Sequence, residues 1–378
     1  MKVCYLADAR SVHTQRWIKY FAERGYEIHI ITFEPYQFNE KNITVHTIKK
    51  GRYIPFFNLF RQILQIRNLI KKINPDIVHG HYATSYGKFL PFIGNYPKIL
   101  SVWGSDVLIA PQKSFLTRQV LGFTLRRVDV ITTTAEFMGE YLQKKFGVSN
   151  EKIIRIPWGT NLNIFYRDYK KEIETLEKNL RIKKGSTIVI SNRHMTPKYN
   201  IQSIIEAASH VLKMYPNVIF IFIRGYGFPE FEDKMKLKAK KLGIINNIRF
   251  ISKVITPHEM AIYLNMADMF VSIPKTDQFG SSVIEGMACG TIPIVSNIEV
   301  YRQYLKDGEN SFLVDPENPK EISKNIAYYI EHPELKEKFY KINKKIVEEN
   351  ENWEKKAREM EELYEKLYKI KNKIMFIR

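Results

Sequence analysis

Short apolar runs alternate with helical segments along this chain, and that alternation limits its fold more than any other feature. In the first half, a helix is predicted from Thr14 to Gly25 and a longer one over FFNLFRQILQIRNLIKKI. The predicted strands are KVCYLAD, EIHIITF, ITVHTI, DIVHGH, ILSVW, VDVITTT and KIIRIPW. Strands that alternate with helices favour a parallel sheet covered on both faces. The first half therefore predicts a doubly wound α/β domain.

The alternation stops over residues 166–185 and then begins again. That stretch is rich in charge and lacks a long apolar run, so it predicts a boundary between two domains. Beyond it, the predicted strands are TIVIS, VIFIFIRG, NIRFIS, MFVSIP and PIVS, with helices between them and a helical pattern over 333–371. A chain of 378 residues is long enough for two cores. We predict one domain over 1–165 and a second over 170–350.

The net charge of +19 narrows the choice of partners. Residues 1–168 carry 24 basic and 12 acidic side chains, so the first half holds +12 of the excess. A basic surface suits nucleic acid, an anionic membrane or a phosphorylated small molecule. Biased amino-acid usage explains much of the excess positive charge equally well. No nucleic-acid reader motif occurs, and the basic residues are not interleaved with aromatic ones in one patch. Specific nucleic-acid binding is therefore not expected.

Cellular location is predicted from four features. Cys4 and Cys289 lie in apolar surroundings, which predicts two buried free thiols in a reducing compartment. The chain starts without a signal peptide pattern and contains no apolar window of about 18 residues, so a cytoplasmic protein is expected. The basic amphipathic helix that contains Phe60, Ile63, Leu64, Arg67, Ile70 and Lys71 has two interpretations. It packs on the sheet with a solvated basic edge, or it also places the protein peripherally at the inner face of the cell membrane.

The segment over 277–290, DQFGSSVIEGMACG, carries the clearest chemistry. A predicted strand leads into a loop, and a helix begins at about Ser281. Gly280 permits a close approach of the backbone, and Ser281 and Ser282 are the expected helix caps. The free N–H groups at the start of such a helix suit a diphosphate. Glu285, one turn into the helix, can accept hydrogen bonds from both hydroxyls of a ribose.

This segment resembles the E-x7-E motif of the retaining glycosyltransferases of family 4 (glycosyl transferases group 1), with Asp277 and Glu285 as its two acids. Nearly the whole chain resembles that family through the blocks ADARSVHTQRWIKYFAERGYEIHIIT, PDIVHGHY, SVWGSDV, IPWGTNLNIF, GMACGTIPIVS, ENSFLVDP and NWEKKAREMEELYEKLY. The resemblance implies the GT-B fold, in which two Rossmann-like doubly wound parallel-sheet domains face a cleft. It also implies that the C-terminal helix, over 352–378, packs back on the N-terminal, acceptor-side domain.

The resemblance implies a hexosyltransferase that acts with retention of anomeric configuration. Its donor is a nucleotide-diphosphate sugar, with a UDP- or GDP-sugar expected, and its acceptor is a glycan, a lipid-linked glycan or a lipid. Polysaccharide biosynthesis at the cell envelope is the expected setting. Two alternatives stay open: another GT-B enzyme such as a nucleotide-sugar epimerase, and a catalytically degenerate protein that only binds a nucleotide sugar.

The resemblance also assigns catalytic residues. The family places an arginine and a lysine five residues apart after the first strand of its second domain, and Arg193 and Lys198 match that pair. Two fixed cations stabilise the charge that grows on a departing diphosphate. Such a pair can replace a divalent metal, and the sequence has no Asp-x-Asp motif, so neither a metal nor a cofactor is expected. Asp277 completes the predicted catalytic set, holding sugar hydroxyls with a carboxylate one methylene shorter than the family's glutamate.

Further residues follow from the same comparison. The predicted donor-binding residues are Phe279, Gly280, Ser281, Ser282, Glu285, Lys253 and Val254. The predicted acceptor-side residues are His13, His81, Trp103 and Asp106. Two departures concern the first domain. The loop over 7–13 lacks the glycine pair that the family often has, and Trp103 stands where the family commonly has a histidine.

Overall fold

The computed structural model describes residues 1–49, 55–277 and 279–377. The chain forms two compact units. The first comprises Met1–Trp158 together with the chain from Glu354 onward, and the second comprises Gly159–Trp353. Both units are parallel-sheet α/β structures, as the alternation of strands and helices predicts.

The first unit is built on a seven-stranded sheet. Its strands are β1 (Lys2–Leu6), β2 (Glu27–Thr32), β3 (Ile43–Thr47), β4 (Ile77–His81), β5 (Lys98–Ser101), β6 (Val130–Thr133) and β7 (Ile153–Arg155). All neighbours are parallel, in the order β3-β2-β1-β4-β5-β6-β7. The middle strand, β4, is buried along its whole length, which is typical of a sheet covered on both faces. The strand order reverses between β1 and β4, where open α/β sheets bind their ligands.

Helices and short turns connect these strands. They are α1 (Val12–Glu23), α2 (Pro55–Ile73), α3 (Ser105–Leu108), α4 (Ala110–Lys113), α5 (Phe115–Arg127) and α6 (Glu136–Phe146). A π-turn over Tyr82–Tyr86 and 3-10 turns over Gly87–Phe92 and Asn150–Lys152 complete the connections. Ile66 and Ile70 of α2 share one apolar core with Leu121 and Leu125 of α5. These two helices therefore cover the same face of the sheet.

The second unit is built on a six-stranded parallel sheet, in the order β10-β9-β8-β11-β12-β13. Its strands are β8 (Ile188–Ser191), β9 (Ile219–Ile223), β10 (Ile248–Ile251), β11 (Met269–Ser272), β12 (Ile292–Ser296) and β13 (Phe312–Val314). Its helices are α7 (Lys170–Asn179), α8 (Ile201–Met214), α9 (Pro229–Lys241), α10 (Pro257–Met266), α11 (Ser281–Ala288), α12 (Glu299–Arg302), α13 (Pro319–Glu331) and α14 (Leu335–Asn350), with 3-10 turns over Pro197–Tyr199 and Ile245–Asn247. Buried isoleucine, valine and phenylalanine side chains fill the space between sheet and helices.

The chain between the two sheets contains a helix. The charged stretch over 166–185 contains helix α7, which was not predicted and which packs against α10. No residue of α7 is fully buried, and this explains why its sequence shows charge rather than apolar runs. The chain passes between the units at Trp158-Gly159 and again at Trp353-Glu354.

The C-terminal helix α15 (Trp353–Ile377) belongs to the first unit from Glu354 onward. Its buried residues Met360, Leu363, Tyr364 and Leu367 recur at the spacing of one helix face. The ring of Tyr364 stacks on Phe21 of α1 with ring centres 4.6 Å apart. This helix therefore contributes its apolar face to the core of a unit that begins at the first residue of the chain.

A chain of hydrogen bonds joins α15 to the sheet. The Tyr364 hydroxyl lies 2.8 Å from the Tyr5 hydroxyl and 2.6 Å from Nδ1 of His79. The other ring nitrogen of His79 lies 2.7 Å from Ser101 Oγ, which in turn lies 2.6 Å from Thr132 Oγ1. Burial, with the nearby His81 ring, holds the pKa of His79 well below its usual range, so its ring is neutral. We call these five residues the polar chain.

No helix within 1–49, 55–277 and 279–377 combines the length and the apolar character that crossing a bilayer requires.

Candidate functional site

The loop and helix over 277–290 lie at the carboxyl end of β11, in the middle of the second sheet. Helix α11 begins at Ser281, as predicted, but neither serine caps it. Gly280 occupies the cap position, and Ser282 Oγ accepts a 2.6 Å hydrogen bond from Arg193 instead. A Cβ at residue 280 would lie 2.5 Å from that guanidinium, so only glycine allows this approach. The predicted serine caps are therefore wrong, because a glycine without a side chain holds the cap position and the Ser282 hydroxyl is bound by Arg193.

Arg193 is the centre of this arrangement. It follows β8 and is only 7% exposed. Its guanidinium lies 3.0 Å from Oδ2 of Asp277 and packs over the ring of Tyr199, 4.1 Å from the ring centre. Burial alone would lower the pKa of Arg193, but the Asp277 carboxylate outweighs burial and raises it above its usual value. Arg193 is therefore a fixed, permanently charged group beside the start of α11.

Asp277, like Arg193, is buried and has polar partners. Its side chain is 4% exposed, and Oδ2 also accepts a 2.7 Å hydrogen bond from the Tyr301 hydroxyl. Burial, reinforced by the charge of Asp277, raises the pKa of Tyr301 well above its usual range, so Tyr301 remains a donor. One oxygen of Asp277 thus serves Arg193 and Tyr301 at once. The predicted contact of Asp277 with sugar hydroxyls stays a prediction.

Lys198 differs from Arg193 in burial. It lies exposed in the turn over Pro197–Tyr199, with Nζ 5.3 Å from the centre of the Tyr199 ring. Both predicted cations therefore contact the same ring, one buried beneath the surface and the other open to solvent. This arrangement gives one rigid and one movable positive charge.

Phe279 sets the path of the loop. Its φ of 57° is left-handed, a region that bulky residues avoid at a cost of roughly 1–3 kcal/mol. The ring is buried edge-on against Tyr301 and Tyr304, with ring centres 5.9 and 5.1 Å apart. Burial of the ring therefore holds the backbone in this turn and makes Phe279 a support of the loop. The neighbouring Gln278 lies outside the described residues.

Glu285 lies one turn after Ser281 and Ser282 on α11, on the same helix face, and is partly exposed. Cys289 closes the helix, is buried and carries a free thiol, as does Cys4 in the first unit. Burial raises the pKa of the Cys289 thiol, and the negative charge of Glu285 adds to that effect. The prediction of two buried free thiols is confirmed.

Lys253 and Val254 lie apart from α11. They follow β10, an edge strand that β9 and β8 separate from β11, and three strand spacings amount to about 14 Å. Both residues are exposed, and Lys253 pairs with Glu259 at 2.5 Å. That pairing lowers the pKa of Glu259 to about 2, and Glu259 also forms the capping box of α10. Any ligand that spans these residues and α11 has to be extended.

In the first unit, five rings gather at the carboxyl ends of its strands, and we call them the Trp103 cluster. Its members are His13, His81, Tyr82, Trp103 and Trp158. His13 stacks on Trp158 with ring centres 3.7 Å apart, and Trp103 meets Trp158 edge-on at 5.5 Å. Trp103 also meets His13, His81 and Tyr82 at 5.9, 5.5 and 6.1 Å. Three of the four predicted acceptor-side residues are thus in one place.

The fourth, Asp106, does not belong to that surface. It is fully buried, and its two oxygens accept hydrogen bonds from the backbone N–H groups of Ala83 and Trp103, at 2.7 and 3.0 Å. Burial raises the pKa of Asp106 to about 6, although these hydrogen bonds act in the opposite direction. The acceptor-side role of Asp106 stays a prediction, and in the structure its oxygens fix the loop that carries Trp103.

The imidazoles of the Trp103 cluster are uncharged near neutral pH. Burial, with the positive charge of Arg16, lowers the pKa of His13 to about 4. Burial, with the nearby His13 ring, lowers the pKa of His81 to about 3. Across the described part of the chain, no three His, Cys, Asp or Glu side chains gather as a metal site would require.

Two family models match the chain, one in each unit. The model described as "Glycosyl transferase 4-like" matches residues 2–135, and that described as "Glycosyl transferases group 1" matches residues 172–346. The chain belongs to glycosyltransferase family 4. Its two parallel-sheet units are the GT-B fold of that family, as the resemblance implies.

Relatives and a solved structure agree with this assignment. The glycosyltransferase is 24% identical to an alpha-monoglucosyldiacylglycerol synthase of Acholeplasma laidlawii over 82% of each chain. It is 23% identical to an N-acetyl-alpha-D-glucosaminyl L-malate synthase of Bacillus anthracis, over 84% of its own chain and 83% of the relative. The crystal structure of Anabaena HepE with UDP and glucose aligns with a TM-score of 0.79 at 15% identity, covering 97% of this chain and 100% of the other. That structure supports the fold.

The sequence of this glycosyltransferase did not identify three residues that contact the predicted site residues. Tyr199 and Tyr301 hold Arg193 and Asp277, and Trp158 stacks on His13. Trp158 lies in the family block IPWGTNLNIF, which was a usable signal. The two tyrosines gave none, since their roles depend on contacts that only the fold creates.

Proposed function

We propose that this protein transfers a hexose from a UDP- or GDP-sugar to a glycan, lipid-linked glycan or lipid, with retention of anomeric configuration and without a metal. The observation that carries the proposal is the buried guanidinium of Arg193 at the start of α11. Asp277 offsets the cost of burying this cation. A fixed guanidinium beside the first N–H groups of α11 suits a strongly anionic ligand. A protein of the same fold that was solved with UDP and glucose supports the donor class.

Each group has a role in this reaction. The first N–H groups of α11 and the Arg193 guanidinium bind the diphosphate, and exposed Lys198 moves onto it when the donor binds. Glu285 accepts hydrogen bonds from the ribose hydroxyls. The bond between the anomeric carbon and the diphosphate oxygen breaks as the acceptor oxygen attacks from the same face. The departing phosphate takes the acceptor proton, and the cations stabilise the negative charge that grows on it.

The donor site is tested by thermal unfolding with UDP, GDP, ADP and CMP in the presence of EDTA. We expect one diphosphate to stabilise the protein, since ligand at 100 times its Kd adds about 2.7 kcal/mol. Glu285→Ala should lose most of that shift, because the ribose loses its acceptor. Glu349→Ala, which removes an exposed carboxylate of α14, is the matched control and should keep it.

The outcomes separate the alternatives. No shift with any nucleotide in EDTA contradicts the proposed site, and a shift that needs added Mg²⁺ contradicts metal independence. A shift without sugar transfer supports a degenerate nucleotide-sugar-binding protein, and epimerised donor without any acceptor product supports an epimerase. Proton NMR of the product reads the anomeric configuration, and an inverted product contradicts retention.

Contact with an anionic membrane is the second part of this proposal, with the cytoplasmic face as the setting. Helices α2 and α5 contain basic residues and no Asp or Glu. The inner residues of α2 pack in the core, but Phe60 and Leu64 are exposed, as are Phe115 and Leu116 at the start of α5. Phe115 and Leu116 are 78% and 72% exposed. Exposed apolar side chains on two basic helices without Asp or Glu suit an anionic bilayer.

Vesicle sedimentation tests the membrane contact. We expect binding to phosphatidylglycerol-containing vesicles, little binding to pure phosphatidylcholine, and weakening by salt, because part of the attraction is screened. Phe115→Ser with Leu116→Ser should lower the affinity at least about tenfold, since burying each side chain contributes roughly 1.5–3 kcal/mol. Met214→Ser with Leu237→Ser removes two exposed apolar side chains of the second unit and is the control. Equal losses in both double variants would contradict a specific membrane face.

A further inference from the structure

A groove of about 540 Å³ lies between the end of β3 and helix α2 in the first unit, and we call it the α2 groove. Thr47, Ile48 and Lys49 form its strand side, and residues of α2 form the other side. β3 is the edge strand of its sheet, three strand spacings or about 14 Å from β4. None of the predicted site residues is among the described residues that line the groove. The groove is large enough to hold a ligand.

The helix side of the groove is a row of carboxamides. Asn58, Gln62, Gln65 and Asn68 all line it, and they recur at intervals of three and four residues, so they share one face of α2. A carboxamide offers both a hydrogen-bond donor and an acceptor, which is what a hydroxyl group needs from a partner. A row of carboxamides therefore suits a ligand that carries a row of hydroxyl groups.

The charges of the groove are positive and spread along its length. Lys49 lies on the strand side and Arg61 and Lys72 on the helix side, and all three are exposed. No Asp or Glu is among the described residues that line the groove, and α2 contains none. Arg61 and Lys72 are 11 residues apart, or about 16 Å along the helix axis. One small anion cannot reach both, whereas an extended ligand with several negative charges can.

This polar face is separate from the face of α2 that we assign to the membrane. At about 100° per residue, the row of carboxamides lies roughly 120° around the helix from the exposed side chains of Phe60 and Leu64. It lies roughly as far from Ile66 and Ile70, which pack in the core. Helix α2 thus has three faces of different chemistry, and the groove face is neither the core face nor the apolar exposed face.

The lining of the groove disfavours two other classes of polymer. None of its described residues is aromatic, whereas proteins that bind single-stranded nucleic acid stack the bases on aromatic rings. Its described apolar residues are Ile48, which is 4% exposed, and Leu69, which is half-buried. A bound peptide usually inserts apolar or aromatic side chains into pockets, and this lining offers little apolar surface for them.

We propose that the α2 groove binds an acidic linear glycan. The carboxamides pair with its hydroxyl groups, and the cations at the two ends of the helix stripe, with Lys49 opposite, attract its carboxylates or phosphates. The choice of a glycan rests on the proposed function, which needs an acceptor. The bound segment is then a part of the acceptor chain that lies away from the sugar ring that reacts.

Isothermal titration calorimetry at low salt, on the full chain without nucleotide, tests the charge of the ligand. We expect hyaluronan hexasaccharide or hexagalacturonate to bind, and neutral cellohexaose to bind much more weakly. Arg61→Gln with Lys72→Gln should lower the affinity for the acidic hexasaccharide roughly 3- to 20-fold, the range of two exposed ion pairs. Arg67→Gln with Lys71→Gln removes the same charge from exposed positions of the same helix outside the groove. This matched control should bind like wild type.

A second pair of variants tests the carboxamides. Gln65→Ala with Asn68→Ala leaves every charge of the groove in place, and both side chains are exposed, so the fold should be unchanged. We expect it to weaken the binding of the acidic hexasaccharide roughly 5- to 100-fold, the range of two lost hydrogen bonds. Gln119→Ala removes an exposed carboxamide of α5 and should have no effect. Circular dichroism checks that each variant folds.

Three results overturn the inference. The first is that neither acidic hexasaccharide binds, and the second is that both double charge variants lose affinity equally. The third is unchanged binding by the carboxamide variant, which shows that the groove recognises charge alone. If only anionic vesicles bind, and only the groove variant Arg61→Gln with Lys72→Gln loses them, the groove contacts a membrane instead of a glycan.

The same titrations separate this inference from the proposed function. A protein that a nucleotide diphosphate stabilises, but that binds neither acidic hexasaccharide, contradicts the inference alone. A protein that binds the acidic hexasaccharide through the groove, but that no nucleotide stabilises, contradicts the proposed function alone.

Discussion

Replacing Arg193 with methionine is expected to lower kcat by about 100- to 1000-fold, the loss that follows removal of one fixed stabiliser of transition-state charge. The same change should destabilise the second unit by about 3–5 kcal/mol, because it leaves the buried carboxylate of Asp277 without its cation. Steady-state kinetics and chemical denaturation measure the two effects separately. The first effect is catalytic and the second is structural. A second substitution, at Asp277, is needed to separate them.

Asp277→Asn supplies that separation. In the double variant with Arg193→Met, no buried charge remains unpaired, and we expect most of the lost stability to return while kcat stays low. Lys345→Met, which removes an exposed cation of α14, controls for the general loss of positive charge. Activity of the double variant within tenfold of wild type would show that Arg193 only neutralises Asp277. A double variant as unstable as Arg193→Met would show that the pair is not the source of the instability.

The second large effect is expected at Tyr364 of the first unit. Tyr364→Ala should cost about 3–5 kcal/mol, because it removes a fully buried aromatic ring from contact with Phe21. Tyr364→Phe keeps the ring and removes only the hydroxyl, leaving Tyr5 and His79 without a partner that lies 2.8 and 2.6 Å away. We expect a cost of roughly 1–3 kcal/mol for that variant.

Chemical denaturation followed by tryptophan fluorescence measures both variants, since Trp17, Trp103 and Trp158 all lie in the first unit. Glu362→Ala changes an exposed residue of the same helix and is expected to have little effect. If Tyr364→Phe were as stable as wild type, the polar chain would contribute nothing to the attachment of α15. If Tyr364→Ala cost no more than Glu362→Ala, packing of α15 on α1 would be excluded as a source of stability.

The fold could be predicted where one physical signal dominated. Buried parallel strands are continuous apolar runs, so β1, β2, β4, β8, β9 and β11 were all predicted. Helices α5 and α6 were not predicted, and α5 shows why: it exposes Phe115 and Leu116, which weakens the periodicity of its sequence. Strand β13 is only three residues long and gives too short a pattern to be recognised.

The site was predictable only in part. The strand, loop and helix around Gly280 follow from local sequence, and so does the position of Arg193 after β8. The contact between Arg193 and Ser282 does not, because it joins residues 89 positions apart in the chain. For that reason the serines were predicted as helix caps, and the supporting roles of Tyr199 and Tyr301 were missed. Residue type and spacing indicate chemistry, but partners across a sheet depend on the finished fold.

The attachment of α15 also sets an order of events during synthesis. Tyr5 and Tyr364 are 359 residues apart, and at about 5–20 residues per second a ribosome needs roughly 20–70 s to make the chain between them. During that time β1 and β4 exist without the helix that covers Tyr5 and His79, whereas the second unit has all of its residues before α15 emerges. A nascent chain therefore completes its second unit first. Translation that stops early leaves an uncovered sheet face, which chaperones and proteases can recognise.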